Sequence, residues 1–160
     1  MNKAKIKELI NKSLEILVQK DGGLIKKKVR EECINHRLAC YFERLLSKNS
    51  RLCYDVDLEY NKNRSDPKKI IIDEDNNVKA IRPDIIIHKR DTHAHNLIAF
   101  EIKKGYTNKY DLAKIKGLLK SPYSYAYGCL ISYLPGKNYI LVKLLSKRTP
   151  EKIDTFKVYK

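Results

Sequence analysis

Apolar residues recur at Ile6, Leu9, Ile10, Leu14, Leu17 and Val18 with lysines opposite, a helical period that predicts a helix over residues 3–19. Asp21-Gly22-Gly23 is its predicted stop. A second helix is predicted from about residue 26 to 47, with Val29, Ile34, Leu38, Phe42 and Leu45 inward. The period then changes to two. Leu52, Tyr54, Val56, Leu58 and Tyr60 alternate with Cys53, Asp55, Asp57 and Glu59, the pattern of a half-buried strand. Residues 61–67 read as a loop and 73–77 as a turn, with Ile70-Ile71-Ile72 a short strand between them. Firmer strands are predicted over 80–88 and 97–103, joined by a polar loop at 90–96. A helix over 109–120 places Leu112, Ile115 and Leu119 inward, with Asn108 as N-cap and Asp111 in a capping box. Strand-like runs follow at 125–134, 139–145 and 155–159.

Helices, then a meander of strands, then a helix and more strands predict an α/β or α+β fold with a mixed central sheet flanked by helices. The 160 residues fit one domain, read as an N-terminal helix and turn (1–23), a core (24–134) and C-terminal strands (135–160). No repeat, low-complexity segment or Pro/Gly-rich linker divides it.

Composition narrows the class. No apolar run approaches the length of a membrane span, and the opening Met1-Asn2-Lys3-Ala4-Lys5-Ile6-Lys7-Glu8 lacks the apolar stretch of a signal peptide. Cys33, Cys40, Cys53 and Cys129 have no Cys-x-x-Cys spacing, so the expected setting is a reducing cytoplasm rather than a disulfide scaffold. The net charge is +15, from 34 Lys and Arg against 19 Asp and Glu. Such a surplus favours a polyanionic partner, because Lys and Arg that neutralise phosphates release condensed counterions.

The chemistry concentrates in Arg82-Pro83-Asp84-Ile85-Ile86-Ile87-His88 and Leu97-Ile98-Ala99-Phe100-Glu101-Ile102-Lys103. Alternate residues of a strand share a face, so Glu101 and Lys103 project together while Ile98, Phe100 and Ile102 point into the core. Charged side chains on an otherwise apolar strand run against the usual exclusion of charge from interiors. If the two strands pair as a hairpin, Asp84 comes near Glu101. Two carboxylates beside a lysine make a hard oxygen site for Mg²⁺ or Mn²⁺. In phosphodiester hydrolysis Asp84 and Glu101 would hold the metal with the backbone carbonyl of Ile102, and Lys103 would orient water and stabilise phosphoryl charge. The bland alternative is an ordinary solvent face at a strand end.

Pro83-Asp84 followed by Glu101-Ile102-Lys103 resembles the motif of the PD-(D/E)XK nuclease superfamily. Glu32 with His36-Arg37-Leu38-Ala39, Glu59-Tyr60-Asn61, Asp111 with Lys114, and Tyr127-Gly128 resemble a group of small bacterial proteins of that superfamily. The resemblance spans roughly Glu32 to Leu134. It implies a restriction-endonuclease-like core and Mg²⁺-dependent cleavage of nucleic acid. It also implies an acidic residue from the helix before the sheet and an assisting lysine from the helix after Glu-x-Lys.

For the helix acid, Glu32, His36, Ala39 and Glu43 lie within about 60° on a helical wheel. Glu32 is preferred, with Glu31 and Glu43 as rivals and a solvated face as the alternative. His36 is a phosphate contact, a support for Glu32 or a structural histidine. Glu59 is a secondary site candidate that could instead sit on an exposed edge. Lys114 is the assisting lysine, with Lys116 its rival. Lys104, Lys109, Lys114, Lys116 and Lys120 are candidate nucleic-acid contacts, with Lys109, Lys116 and Lys120 along one helical stripe. His93-Ala94-His95 beside Asp91 reads as a solvated turn, Asp73-Glu74-Asp75 as turn chemistry, and Tyr123, Tyr125 and Tyr127 as packing.

The reading is a metal-dependent nuclease acting on nucleic acid, DNA ahead of RNA. Its alternative is an inactive nucleic-acid-binding module on the same fold. A basic structural protein would leave the strand charges unexplained. The apolar first helix is a candidate homodimer contact, unless its face is covered within the chain.

Overall fold

The computed structural model describes residues 1–27, 29–49, 54–63, 66–71, 78–90, 92 and 94–160. Along the chain lie α1 (Lys3–Lys26), α2 (Glu31–Asn49), β1 (Asp55–Leu58), β2 (Lys62–Asn63), β3 (Asp66–Pro67), β4 (Lys69–Ile71) and β5 (Val78–Ala80). They are followed by β6 (Ile85–His88), β7 (Ile98–Lys103), α3 (Lys109–Leu119), β8 (Tyr127–Ser132), β9 (Tyr139–Ser146) and β10 (Thr149–Tyr159). Six strands form one sheet in the order β1-β6-β7-β8-β9-β10, and β2-β3 and β4-β5 are separate two-stranded pairs. The sheet is mixed, since β7 and β8 pair in parallel and the other neighbours are antiparallel. The parallel pair requires a crossover, and α3 supplies it.

Both faces of this sheet are covered, which is why β6 and β8 read as near-continuous apolar runs. Ile85, Ile87, Ile98, Phe100, Ile102 and Ile131 pack with Ile10, Leu14, Leu17, Leu38 and Phe42 of α1 and α2. On the other face Ile86, Ala99, Leu130 and Leu145 pack with Ile115, Leu118 and Leu119 of α3 and Ile70 of β4. Glycines set the closeness of this second layer. A Cβ on Gly128 of β8 would lie 2.3 Å from Ile115 Cγ2, and one on Gly117 of α3 would lie 2.9 Å from Ile70 Cγ2. Asn108 and Asp111 fix the start of α3 through the expected reciprocal capping box.

Several expected boundaries move. Asp21-Gly22-Gly23 kinks α1 at Asp21 (φ −126°, ψ 15°) instead of ending it, so the boundary expected at residue 23 falls inside the helix. Asp21 Oδ2 accepts from Arg37 Nε at 2.9 Å and from the Tyr41 hydroxyl. The extra turn buries Ile25 completely. The second helix starts at Glu31 rather than near residue 26, because residues up to Lys26 still belong to α1. The strand expected over 80–88 is two elements: Val78–Ala80 pairs with β4, and β6 begins only at Ile85. The C-terminal strands are part of the central sheet, β9 beside β8 and β10 on the edge.

The apolar face of α1 is spent within the chain, with Ile6, Ile10, Leu14 and Leu17 wholly buried. That answers the homodimer expectation for this face: its own core covers it. Among the described residues no helix is long and apolar enough to cross a membrane. Leu52, Cys53, Ile72, the 73–77 turn, Asp91 and His93 lie outside the described residues.

Candidate active site

β6 and β7 pair with Ile85 opposite Phe100, which sets Asp84 opposite Glu101 where β6 begins. Asp84 N–H donates to Phe100 O at 3.1 Å. Asp84 Oδ2 then accepts from Ile102 N–H at 2.6 Å, so a side chain replaces the next rung of the ladder. Ile102 therefore directs its N–H toward the β6 edge, and its carbonyl faces the same edge. The hairpin brings the two expected carboxylates together.

Glu101 is 0 % exposed. Ala99 and Glu101 share the α3 face of β7, while Phe100 and Ile102 enter the α1/α2 core. Lys114 of α3 places Nζ 2.6 Å from Glu101 Oε1. The contact is a short ion pair on Oε1, and Oε2 has no hydrogen-bond partner. Burial, the adjacent Asp84 charge and Asp111 push the Glu101 carboxyl up to about 7 against Lys114, which acts to lower it. Asp84 is also raised, chiefly by burial, with the Ile102 hydrogen bond, Lys103 and Lys114 opposing. Burial acts to lower Lys103, but the charges of Asp84, Glu31, Asp111 and Glu101 outweigh it and hold its ammonium above the ordinary value.

The helix acid that reaches this end of β7 is Glu31. Its Oε2 accepts from Lys104 N–H, and Oε1 lies 3.9 Å from Lys103 Nζ. Glu32, expected to take that place, is exposed, as are His36 and Glu43. The geometric reason is helical phase. Asn35, Leu38 and Phe42 form the inward stripe, and Glu31 continues it one turn earlier.

The remaining candidates separate. Glu59 adopts a left-handed backbone (φ 50°) and donates its N–H to Asp84 O at 3.0 Å. Its carboxylate turns to Arg82, at 3.1 Å. Lys104 Nζ donates to Val29 O at 3.1 Å and to Lys27 O, which ties the α1–α2 connection to β7. Lys116 pairs with Glu151 at 2.6 Å. Lys109 and Lys120 are exposed. Tyr123 and Tyr125 are buried, and the Tyr123 hydroxyl staples β4 by accepting from Lys69 N–H at 2.6 Å and donating to Lys69 O at 2.8 Å.

Two further residues belong to the neighbourhood. Asp111, expected as a cap and, with Lys114, as part of the resemblance, is buried and its charge acts on both Glu101 and Lys103. Its spacing to Lys114, one helical turn, was the available signal. Tyr133 is wholly buried, donates to Asn35 Oδ1 at 3.0 Å and is pushed well up by burial and by the charges of Asp84 and Glu31. No local pattern marked it.

A hard divalent cation needs oxygen ligands. Asp84 and Glu101 offer them, with Glu101 Oε2 free of hydrogen bonds and Oε1 paired with Lys114. The donor set fits such an ion as a pair of carboxylates. Glu31 does not join them, and among the described residues no three His, Cys, Asp or Glu side chains gather as a metal-holding group. No protein-family model matches the chain, and no curated protein or solved structure does.

Proposed function

We propose that this protein is a small metal-dependent nuclease with a restriction-endonuclease-like core, hydrolysing phosphodiester bonds of nucleic acid, DNA ahead of RNA. The observation that carries the reading is the fully buried Glu101, its Oε2 without a hydrogen bond, placed opposite Asp84 and two residues before Lys103. Lys114 pairs with one of its oxygens, and a divalent cation would satisfy the other. Asp84, Glu101 and the Ile102 carbonyl hold Mg²⁺ or Mn²⁺. The bound ion supplies polarisation of the phosphate and a lowered pKa for a coordinated water. Lys103, partly exposed beside Asp84, stabilises charge developing on the phosphoryl oxygens. Exposed Lys109 and Lys120 contact the backbone at α3.

The test is incubation with single- and double-stranded DNA and RNA in Mg²⁺, Mn²⁺ or chelator, beside Asp84→Ala and Lys103→Ala. Cleavage that needs metal and fails in both variants supports the site. Cleavage that persists in chelator or in both variants sinks it. A second reading, an inactive binding module on the same fold, draws on one observation: Lys114 already neutralises Glu101. Its outcome is salt-sensitive binding with no cleavage on any substrate.

A further inference from the structure

Lys114 is more than an assisting lysine near the site. Its Nζ lies 2.6 Å from Glu101 Oε1 and donates to Arg82 O at 3.5 Å. Its charge also acts on Asp84, the other carboxylate of the pair. The ammonium thus sits between an oxygen of β7 and a carbonyl of the segment before β6, within the field of the opposing acid. Its side chain is only 13 % exposed. Such surroundings are those of a cation site, and an ammonium is the cation in them.

We propose that Lys114 is a built-in counter-ion that a divalent metal must displace, so that metal enters by exchange of one cation for another. This rests on the nuclease reading's assignment of Asp84 and Glu101 as metal ligands. Three features make exchange feasible. Glu101 is wholly buried and would be left uncompensated without some cation, which explains why a lysine is held there before metal arrives. The backbone of α3 is fixed by its capping box and by Ile115 against Gly128, so the helix stays in place. The lysine stem is long and flexible and retains a path to solvent, so the ammonium leaves by rotation about its own bonds. Released, the same charge lies beside the bound ion, where a phosphate arrives.

The test is Mn²⁺ binding by electron paramagnetic resonance, without nucleic acid, on wild type, Lys114→Met and Lys114→Arg. Lys114→Met should bind Mn²⁺ at least about tenfold more tightly, equivalent to about 1.4 kcal/mol, and Lys114→Arg no more tightly than wild type. The melting temperature of Lys114→Met should drop in chelator and recover with Mn²⁺, since Glu101 then lacks its counter-ion. Wild type supplies a readout that needs no variant: acetylation of Lys114 by an amine-reactive ester, followed by mass spectrometry. Labelling should be slow in chelator and faster with Mg²⁺. Metal binding in wild type with unchanged or weaker binding in Lys114→Met, or Mg²⁺ that protects Lys114, overturns the exchange and leaves the nuclease reading standing. No metal binding by any of the three proteins removes the metal site itself, and the exchange with it.

Discussion

Two acids on the same face of the central sheet have opposite fates. Asp57 lies on the edge strand β1 opposite Ile86, and Ile86 lies opposite Ala99, two residues from Glu101. Asp57 is fully served: His88 Nε2 is at 2.8 Å, Arg90 Nε at 3.0 Å and an Arg90 terminal nitrogen at 2.5 Å. Burial acts to raise its carboxyl, but these hydrogen bonds outweigh it and hold the group below the ordinary carboxylate range. Glu101, in the middle of the sheet, has one ion pair, to Lys114, and an Oε2 without a hydrogen bond, and is pushed up. Equal chemistry in unequal settings separates an acid that holds the fold from the one proposed to take a metal. The edge cluster is what a structural ion pair looks like in this protein. The central pair departs from it.

The largest expected effect breaks the comparison at Glu101. On the proposed reading, Glu101→Gln removes a metal ligand and should lower cleavage at least about 100-fold, more than loss of a residue supporting a ligand costs. Because the wild-type carboxylate is buried and raised, the same variant should keep or increase the melting temperature in chelator. A variant that melts well below wild type would place Glu101 with the structural acids. Lys103→Met should lower cleavage by about 100-fold, in the range seen for loss of one charge-stabilising donor. Its melting temperature should stay unchanged, since its pairing with Glu31 is long and half-exposed.

Asp57→Asn is the reverse case. It strips Arg90 and a buried His88 of their acceptor and should cost about 2 kcal/mol of stability, or roughly 5 °C in melting temperature. Cleavage per folded molecule should not change. A loss of cleavage without a loss of stability would make the edge cluster part of the site.

Titration sharpens the contrast without any substitution. Glu101 protonates at about 7 when folded, against 4.5 for the group unperturbed. Between those values the folded chain holds a proton that the unfolded chain has released, so the contribution present at low pH is lost as pH rises through the window. Asp57, held low, acts in the opposite sense: its contribution is present above the ordinary value of 3.8 and is lost as pH falls through the folded value. Melting temperatures measured in chelator at pH 5 and pH 8 should show a fall for wild type that flattens in Glu101→Gln. An unchanged slope would mean that Glu101 stays ionised throughout.

Much of this site was legible because it depends on strand alternation and one hairpin. Asp84, Glu101 and Lys103 fall into place once residues 98–103 are read as a strand, since period two leaves a single choice of face. The capping box at Asn108 and Asp111 is local and was legible for the same reason. What failed depends on distant contacts. Asp21-Gly22-Gly23 carries a local stop signal, yet Arg37 and Tyr41 of the next helix satisfy Asp21 and let the helix continue to bury Ile25. The pairing of Lys116 with Glu151 depends on where β10 runs, which no pattern within α3 encodes.

The smallest expected effect bears on the most instructive miss. The preference for Glu32 rests on the His36-Arg37-Leu38-Ala39 that follows it in the resemblance, whereas the phase of α2 is set by Asn35, Leu38 and Phe42. Adjacent residues on a helix differ by about 100° in direction, so neighbouring glutamates cannot share a role. Glu31 accepts from Lys104 N–H and sits 3.9 Å from Lys103, while Glu32 faces solvent. Glu31→Gln keeps the backbone contact through its amide oxygen and loses only the charge beside Lys103. It should therefore reduce cleavage by several-fold, with little change in melting temperature. Glu32→Gln should change neither by more than about twofold or 0.5 kcal/mol, the range of surface substitutions. If Glu32→Gln is the costlier of the two, the phase of α2 in solution differs from that set by its inward stripe, and the acid completing the site is Glu32 after all.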